Sequence, residues 1–387
     1  MGCLSGAVFF APFPLLFSWL AGLLSLAVLG GGLYLLWAWY VGVLVGTGYV
    51  VGGLVMTLLS LFGRWLVLLF RPSGADEPRA LQAPAQVRLE RPDGTSLYVE
   101  RYGPPGAPTL VLTHGAGANR TSWCYLVRAL AERFQVLIWD LPGLGHSSKP
   151  GHGDYSLERH AQDLTAVLGL AAGQPTILVG HSLGGMVVLT FCRLFPQHLG
   201  TAVRGLALVD TSYTNPARTT TASAVITALQ RPLLEPLLHV TAWLAPLVWL
   251  MSWLGYLNGS SHLLGMVFGF AGTETRGQLD LAVRYNPLAW PGVQARETLA
   301  MLRYDATPVL GSIGVPALVL TGDLDRLIVP ETAGAMAERL PDGRLVRLAP
   351  AGHMAVFERH ERLAAEVGAF AERVLTAGAR AATHPIG

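Results

Sequence analysis

The stretch able to do chemistry is Gly180-His181-Ser182-Leu183-Gly184. A serine hydroxyl attacks a carbonyl poorly by itself. It needs a histidine to take its proton, a carboxylate to hold that imidazole, and donors for the oxyanion that forms. The residues around Ser182 supply part of this. Thr176 to Val179 is a β-branched apolar run of the kind buried on both faces of a sheet. Met186 to Leu194 reads as a buried helix. A serine between them stands on a tight strand-to-helix turn, clear of the backbone and at the positive end of the helix. The flanking glycines sit where a Cβ would crowd the strand and the helix. With 45 glycines in 387 residues the pentapeptide alone is a weak signal. An idle serine in a Gly-rich turn is the alternative, and the flanking strand and helix argue against it.

Composition bounds what else the chain does. It is 51% hydrophobic and only 13% charged, against a usual charged share of about 25%. The net charge of +2 leaves no basic footprint for nucleic acid. Cys3, Cys124 and Cys192 are scattered, with no C-x-x-C, and imply neither a disulfide framework nor a zinc site. No Gly-rich phosphate cradle is present, so no cofactor and no metal are expected. No feature points to an oligomeric state.

The charge deficit is concentrated at the start. Residues 1–63 contain no Asp, Glu, Lys, Arg or His. Two apolar runs, 7–29 and 33–62, are separated by Gly30-Gly31-Gly32, and each reaches the ~20 residues that cross a bilayer core. They predict a transmembrane hairpin within residues 1–70, with one long tilted crossing as the alternative. A signal peptide fits poorly: there is no basic n-region, and the apolar tract is too long. Met1-Gly2-Cys3 resembles an acylation signal, but Gly6 stands where Ser or Thr is required. Arg64, Arg71 and Arg79 follow the second run and place the next domain in the cytoplasm. Residues 71–84 read as a linker.

Strands and helices then alternate over 85–210 and again over 296–376, implying an α/β fold with a mostly parallel sheet covered on both faces. Between them, 211–295 is helical and irregular, as a lid or cap would be. Residues 377–387 form a tail.

Four motifs resemble those of the α/β-hydrolase family: His114-Gly115-Ala116-Gly117, Asp140-x-x-Gly143-x-Gly145-x-Ser147, Gly180 to Gly184, and Gly352-His353. Gly322-Asp323-Leu324-Asp325 lies between the last two. The resemblance covers about 85–376. It implies a serine hydrolase with the chain order Ser, acid, His: Ser182 as nucleophile, Asp325 as acid, His353 as base. Asp323, two residues from Asp325, and Asp210, at the end of the strand after the elbow, are alternative acids. The backbone N–H groups of Ala116 and Leu183 are the expected oxyanion donors. His114 and Asp140 are expected to tie down their loops, and His181 and His146 to be packed or loop-capping. Serine in place of aspartate sets aside epoxide hydrolases and haloalkane dehalogenases. Esterase, lipase, thioesterase, amidase, carbon–carbon hydrolase and haloperoxidase-like activities remain, as does a silent hydrolase-like binding protein.

Between Glu235 and Glu274 there is no Asp, Glu, Lys or Arg. Leu237 to Leu257, with Trp243, Trp249 and Trp253, is long enough to span a membrane. One crossing would leave Ser182 opposite Asp325 and His353, and two need ~40 residues. The run is therefore expected to pack on the core or to lie in the membrane interface. A tethered enzyme with such a lid is expected to take a small-molecule or lipid-like acyl ester, the bilayer being its other partner.

Overall fold

The computed structural model describes residues 14–383. The start of the expected first apolar run, residues 7–13, the Met1-Gly2-Cys3 signal and residues 384–387 of the tail lie outside them.

Eight strands form one sheet: β1 Ala85–Glu90, β2 Ser96–Tyr102, β3 Thr109–Thr113, β4 Gln135–Trp139, β5 Thr176–His181, β6 Val203–Val209, β7 Ala317–Gly322 and β8 Gly343–Leu348, in the order β1-β2-β4-β3-β5-β6-β7-β8. β1 and β2 pair as an antiparallel hairpin, closed by Arg91 N–H donating to Thr95 O at 2.8 Å. β2 joins β4 antiparallel, and every later pairing is parallel. All residues of β3, β4, β5 and β7 are buried, which is why these strands read as unbroken apolar runs. Parallel pairing sends the loops after β3, β5, β6, β7 and β8 to one edge of the sheet. The register aligns Thr113 with Gly180, His181 with Val209, and Gly322 with Leu348. The motif residues thus converge although the chain separates them widely.

The insertion between β6 and β7 holds seven α-helices. With the N-terminal α1 Pro14–Tyr40, α2 Thr47–Phe62 and α3 Arg64–Leu69, and the flanking α4 Cys124–Leu130, α5 Leu157–Gly169 and α6 Leu183–Leu194, these become α7 Ser223–Leu229, α8 Glu235–Trp243, α9 Ala245–Asn258, α10 Ser260–Phe268, α11 Arg276–Leu288, α12 Pro291–Met301 and α13 Thr307–Leu310. After β7 come α14 Pro330–Arg339, α15 Ala355–Glu358 and α16 His360–Thr383. α5, α6 and α14 cover one face of the sheet, and α4 and α16 cover the other. α12 runs through the expected boundary at 295, because Pro291 starts a helix where its missing N–H costs nothing. The apolar run 237–257 is not one rod. It is bent by 95° at the break between Trp243 and Ala245, and Gly259, at φ 87°, ends α9.

The N-terminal region departs from its expected division. α1 runs unbroken through Gly30-Gly31-Gly32, and the reversal comes at 41–46, where Gly42 and Gly46 take positive φ. The glycines mark a close helix crossing. A Cβ on Gly32 would lie 2.8 Å from Thr57 Oγ1, and one on Gly53 would lie 2.9 Å from Gly32 O. Packing at this contact favours Gly in place of a side chain. α1, at 27 residues, is about 40 Å long and is apolar and long enough to cross a membrane. α2, at 16 residues, reaches about 24 Å, and among the described residues the two helices run 14–40 and 47–62 where 7–29 and 33–62 were expected.

The first half of α1 packs on the insertion. Trp19 Nε1 donates to Thr241 Oγ1 at 3.0 Å, and Asn258 Nδ2 donates to Ser25 Oγ at 2.6 Å. The segment 71–84 is docked along the same side. Arg71 pairs with Glu274 at 3.0 Å, and Glu77 accepts from Thr275 Oγ1 at 2.6 Å.

Candidate active site

Ser182 sits between β5 and α6 with φ 53° and ψ −120°, a conformation a non-glycine residue adopts only under constraint. The surroundings enforce it. Ser182 N–H donates to Val209 O at 2.9 Å, and Thr211 Oγ1 donates to Ser182 O at 2.6 Å. A Cβ on Gly180 would strike the backbone of Gly184, and one on Gly184 would strike Thr113 O, so α6 lies against β3 and β5 as only glycines permit. The result lifts the Ser182 side chain toward the edge of the sheet where the other loops meet.

His353 and Asp325 meet it there. Ser182 Oγ lies 3.0 Å from His353 Nε2, and His353 Nδ1 lies 2.8 Å from Asp325 Oδ2. The second carboxylate oxygen, Oδ1, accepts from Leu327 N–H at 2.8 Å and Ile328 N–H at 3.0 Å. Burial works against an imidazolium at His353. The charge and hydrogen bond of Asp325 outweigh this and raise its pKa above the usual imidazole value. A neutral His353 in this frame donates from Nδ1 to Asp325 and keeps Nε2 free to accept the serine proton.

The other two acids are placed differently. Asp323 Oδ1 accepts from Ala351 N–H at 2.9 Å and ties down the loop that carries His353. Asp210 Oδ1 accepts from Gly322 N–H at 2.7 Å, and its other oxygen has no hydrogen bond. Burial, with the neighbouring Asp325 charge, pushes the Asp210 carboxyl well above the usual carboxylate range. Neither touches the imidazole in place of Asp325.

Leu183 opens α6, where its N–H has no acceptor within the helix. Ala116 lies on the turn closed by Ala118 N–H donating to Gly115 O at 3.2 Å. That turn is held by His114, whose Nδ1 donates to Gly115 O at 2.8 Å and whose Nε2 accepts from Leu141 N–H at 3.0 Å. Burial lowers its pKa and keeps it neutral, as both bonds require. A Cβ on Gly115 would lie 3.2 Å from Ser182 Cβ, which puts this loop directly over the serine. Asp140 accepts from Arg120 N–H and His146 N–H, both at 2.8 Å, and orders its own glycine loop.

Two residues have parts that their local sequence does not advertise. His181 Nε2 donates to the backbone oxygen of His353 at 3.0 Å, and burial lowers its pKa to about 3, so it stays neutral. Glu358 accepts from Gly352 N–H at 2.7 Å and from Ala271 N–H and Thr273 Oγ1, both at 2.9 Å. It thereby clamps the His353 loop to the insertion. The position of Glu358 five residues after His353, in an otherwise apolar stretch, is the signal that could have found it.

A profile of the Alpha/beta hydrolase family matches residues 110–366. The chain is 25% identical over 293 residues to the uncharacterized hydrolase YugF of Bacillus subtilis, covering 75% of this chain and 99% of that protein. It is 29% identical over 302 residues to polyketide synthase ThaQ of Burkholderia thailandensis, of whose length it spans 13%. Among solved structures, a thermophilic esterase from Thermogutta terrifontis superposes with a TM-score of 0.61 at 24% identity, covering 75% of this chain and 99% of that one. A membrane phospholipase A described as a bacterial virulence factor gives 0.59 at 25% identity, covering 75% and 86%.

Proposed function

The chain belongs to the alpha/beta hydrolase family, and on that footing we propose that it is a membrane-anchored serine hydrolase cleaving lipid-like acyl esters through an acyl-enzyme. The observation that carries this reading is the unbroken chain of contacts from Ser182 Oγ to His353 Nε2 and from His353 Nδ1 to Asp325 Oδ2. Ser182 Oγ bonds to the ester carbonyl carbon while its proton passes to His353 Nε2, and Asp325 stabilises the imidazolium. The carbonyl oxygen gains negative charge beside the N–H groups of Leu183 and Ala116. Collapse expels the alcohol, which takes the proton from His353. Water then attacks the acyl-enzyme by the same route and releases the acid.

Membrane attachment rests on α1 and on the apolar side chains beside it. Leu24 is 64% exposed on α1, Phe70 is 83% exposed after α3, and Trp243 is 79% exposed on the insertion. Burying such surface in lipid is favourable by roughly 25 cal/mol per Å², and tryptophan suits the interface. Arg64, Arg71 and Arg79 orient the hydrolase domain to the cytoplasm. The likeness to a membrane phospholipase A supports a lipid-like substrate. The test is a panel of p-nitrophenyl esters from two to sixteen carbons in detergent micelles. Rising kcat/KM with acyl length supports the reading, and turnover confined to the shortest esters contradicts the lipid part of it.

A further inference from the structure

The insertion and the N-terminal helix line two partly open cavities beside the candidate active site. The first, of ≈160 Å³, lies between α1, α8, α9, α10, α11 and α12. The second, of ≈200 Å³, lies between α1, α10, α11 and the loop that carries His353. They share a wall of Ser18, Ser261, Leu264 and Asn286. Among the described residues no charged side chain lines either of them.

Both cavities border the candidate active site. The first is lined by Gln294, which also lies against the oxyanion loop: a Cβ on Gly117 would be 3.0 Å from Gln294 Oε1. The second is lined by Met354, the residue after His353, whose N–H donates to Gly269 O at 2.9 Å. On the opposite side both are closed by α1. Ser18 lines both cavities, and Trp19 lines the first while bonding Thr241 on α8. Hydroxyl and amide side chains share these walls with apolar ones, and by volume alone, a space of about 150 Å³ holding a benzene ring, each has room for roughly six carbons.

We propose that α1 is a wall of the acyl-binding site: the hydrocarbon chain of a bilayer-derived ester lies between α1 and the insertion, with its carbonyl at Ser182. This rests on the ester-hydrolase reading above. It adds that the apolar N-terminal helix reads the substrate as well as tethering the enzyme. The occupant follows from the uncharged walls, from Gln294 beside the oxyanion loop and Met354 next to His353, and from the exposed apolar face of α1 beside the cavities, where a chain leaving the bilayer would enter.

The test uses the full chain in lipid nanodiscs and an alkyl fluorophosphonate carrying a diazirine near the middle of its chain. Ser182 Oγ bonds to phosphorus as fluoride leaves, which fixes the alkyl chain to the site. Irradiation then links the chain to what it touches, and peptide mapping identifies the partner. We expect crosslinks within residues 15–22 of α1. Crosslinks confined to α4, α5 or lipid overturn the proposal while leaving the hydrolase reading intact. Absence of any adduct at Ser182 overturns the hydrolase reading and this proposal with it. As a second readout, Ser18→Trp, with Ser18→Leu as the milder filling, should lower the ratio of kcat/KM for twelve-carbon over four-carbon esters at least tenfold. Leu24→Trp, on the exposed side of α1, should leave that ratio within twofold of the unaltered protein. An unchanged ratio in a folded Ser18 variant, or an equal fall in Leu24→Trp, would overturn the proposal.

Discussion

Replacing Asp325 by asparagine tests the proposed roles with little change in shape. One carboxylate oxygen accepts from two backbone N–H groups, of Leu327 and Ile328, and the other accepts from His353 Nδ1. An asparagine must choose which side receives its oxygen. Facing its NH₂ toward the two backbone donors would strand both, at about 1–3 kcal/mol each. Facing its NH₂ toward His353 costs one contact, which the imidazole recovers by switching tautomer so that Nδ1 accepts. The asparagine therefore keeps its oxygen on Leu327 and Ile328. The imidazole then carries its proton on Nε2, pointing at Ser182 Oγ, and can no longer take the serine proton. A fall in kcat of about 10⁴ is expected, as for other triads locked in the wrong tautomer, or ~5 kcal/mol of transition-state stabilisation. The melting temperature should hardly change, because the backbone bonds survive. The assay is steady-state hydrolysis of a p-nitrophenyl ester by detergent-solubilised protein, run beside Asp323→Asn and Asp210→Asn. Those two keep an oxygen for Ala351 N–H and Gly322 N–H and should stay within about tenfold of the unaltered protein. Asp325→Asn retaining more than a tenth of the activity, or Asp323→Asn losing as much, would refute the assignment.

Three further outcomes are expected. Activity needs His353 neutral, and Asp325 holds its pKa above the usual imidazole value; the acid limb of kcat/KM should move to lower pH in Asp325→Asn, as a pH series will show. Glu297 on α12 is fully buried, makes no hydrogen bond through its carboxyl oxygens and lies 3.9 Å from His160, and burial pushes its pKa up to about 8. Between 4.5 and about 8 the folded protein keeps a proton there that the unfolded chain has lost, so this group makes stability fall as pH rises through that window. Glu297→Gln matches the neutral acid in shape and should raise the melting temperature at pH 8 by at least about 3 °C, with little change at pH 4.5. Gly53→Val places a branched side chain against Leu36 and the Gly32 carbonyl and should cost about 1–3 kcal/mol in the α1–α2 contact. Protease sensitivity within 41–46 in nanodiscs will measure it.

Much of the core was legible because its signals are local. The elbow at Ser182 is a β-branched run, two glycines and an apolar helix in direct succession. The loop around His114 follows an apolar strand in the same way. Chain order put Asp325 ahead of Asp323 and Asp210 as the acid but left the other two open, because all three follow strands at the same sheet edge. Only three-dimensional placement separates the one that faces His353 from the two that hold backbone amides. His181 and Glu358 steady the His353 loop through contacts up to 172 residues apart in the chain; His181 stands in no pattern that announces such a partner, and Glu358 is marked only by its isolation in an apolar stretch. The three glycines at 30–32 were misleading for a related reason. Read locally they break a helix. In place, Gly32 is opposed by Gly53, and the close approach of α2 offsets the lower propensity.

The central claim is that Ser182 is a nucleophile activated by His353. It is tested most directly by treating membranes that hold the full chain with a fluorophosphonate and locating the adduct by peptide mass spectrometry. The account predicts one adduct, on the peptide containing Ser182, absent in Ser182→Ala and formed at least about 10³-fold more slowly in His353→Ala. An adduct on another residue, or labelling of Ser182 at an unchanged rate without His353, would contradict it.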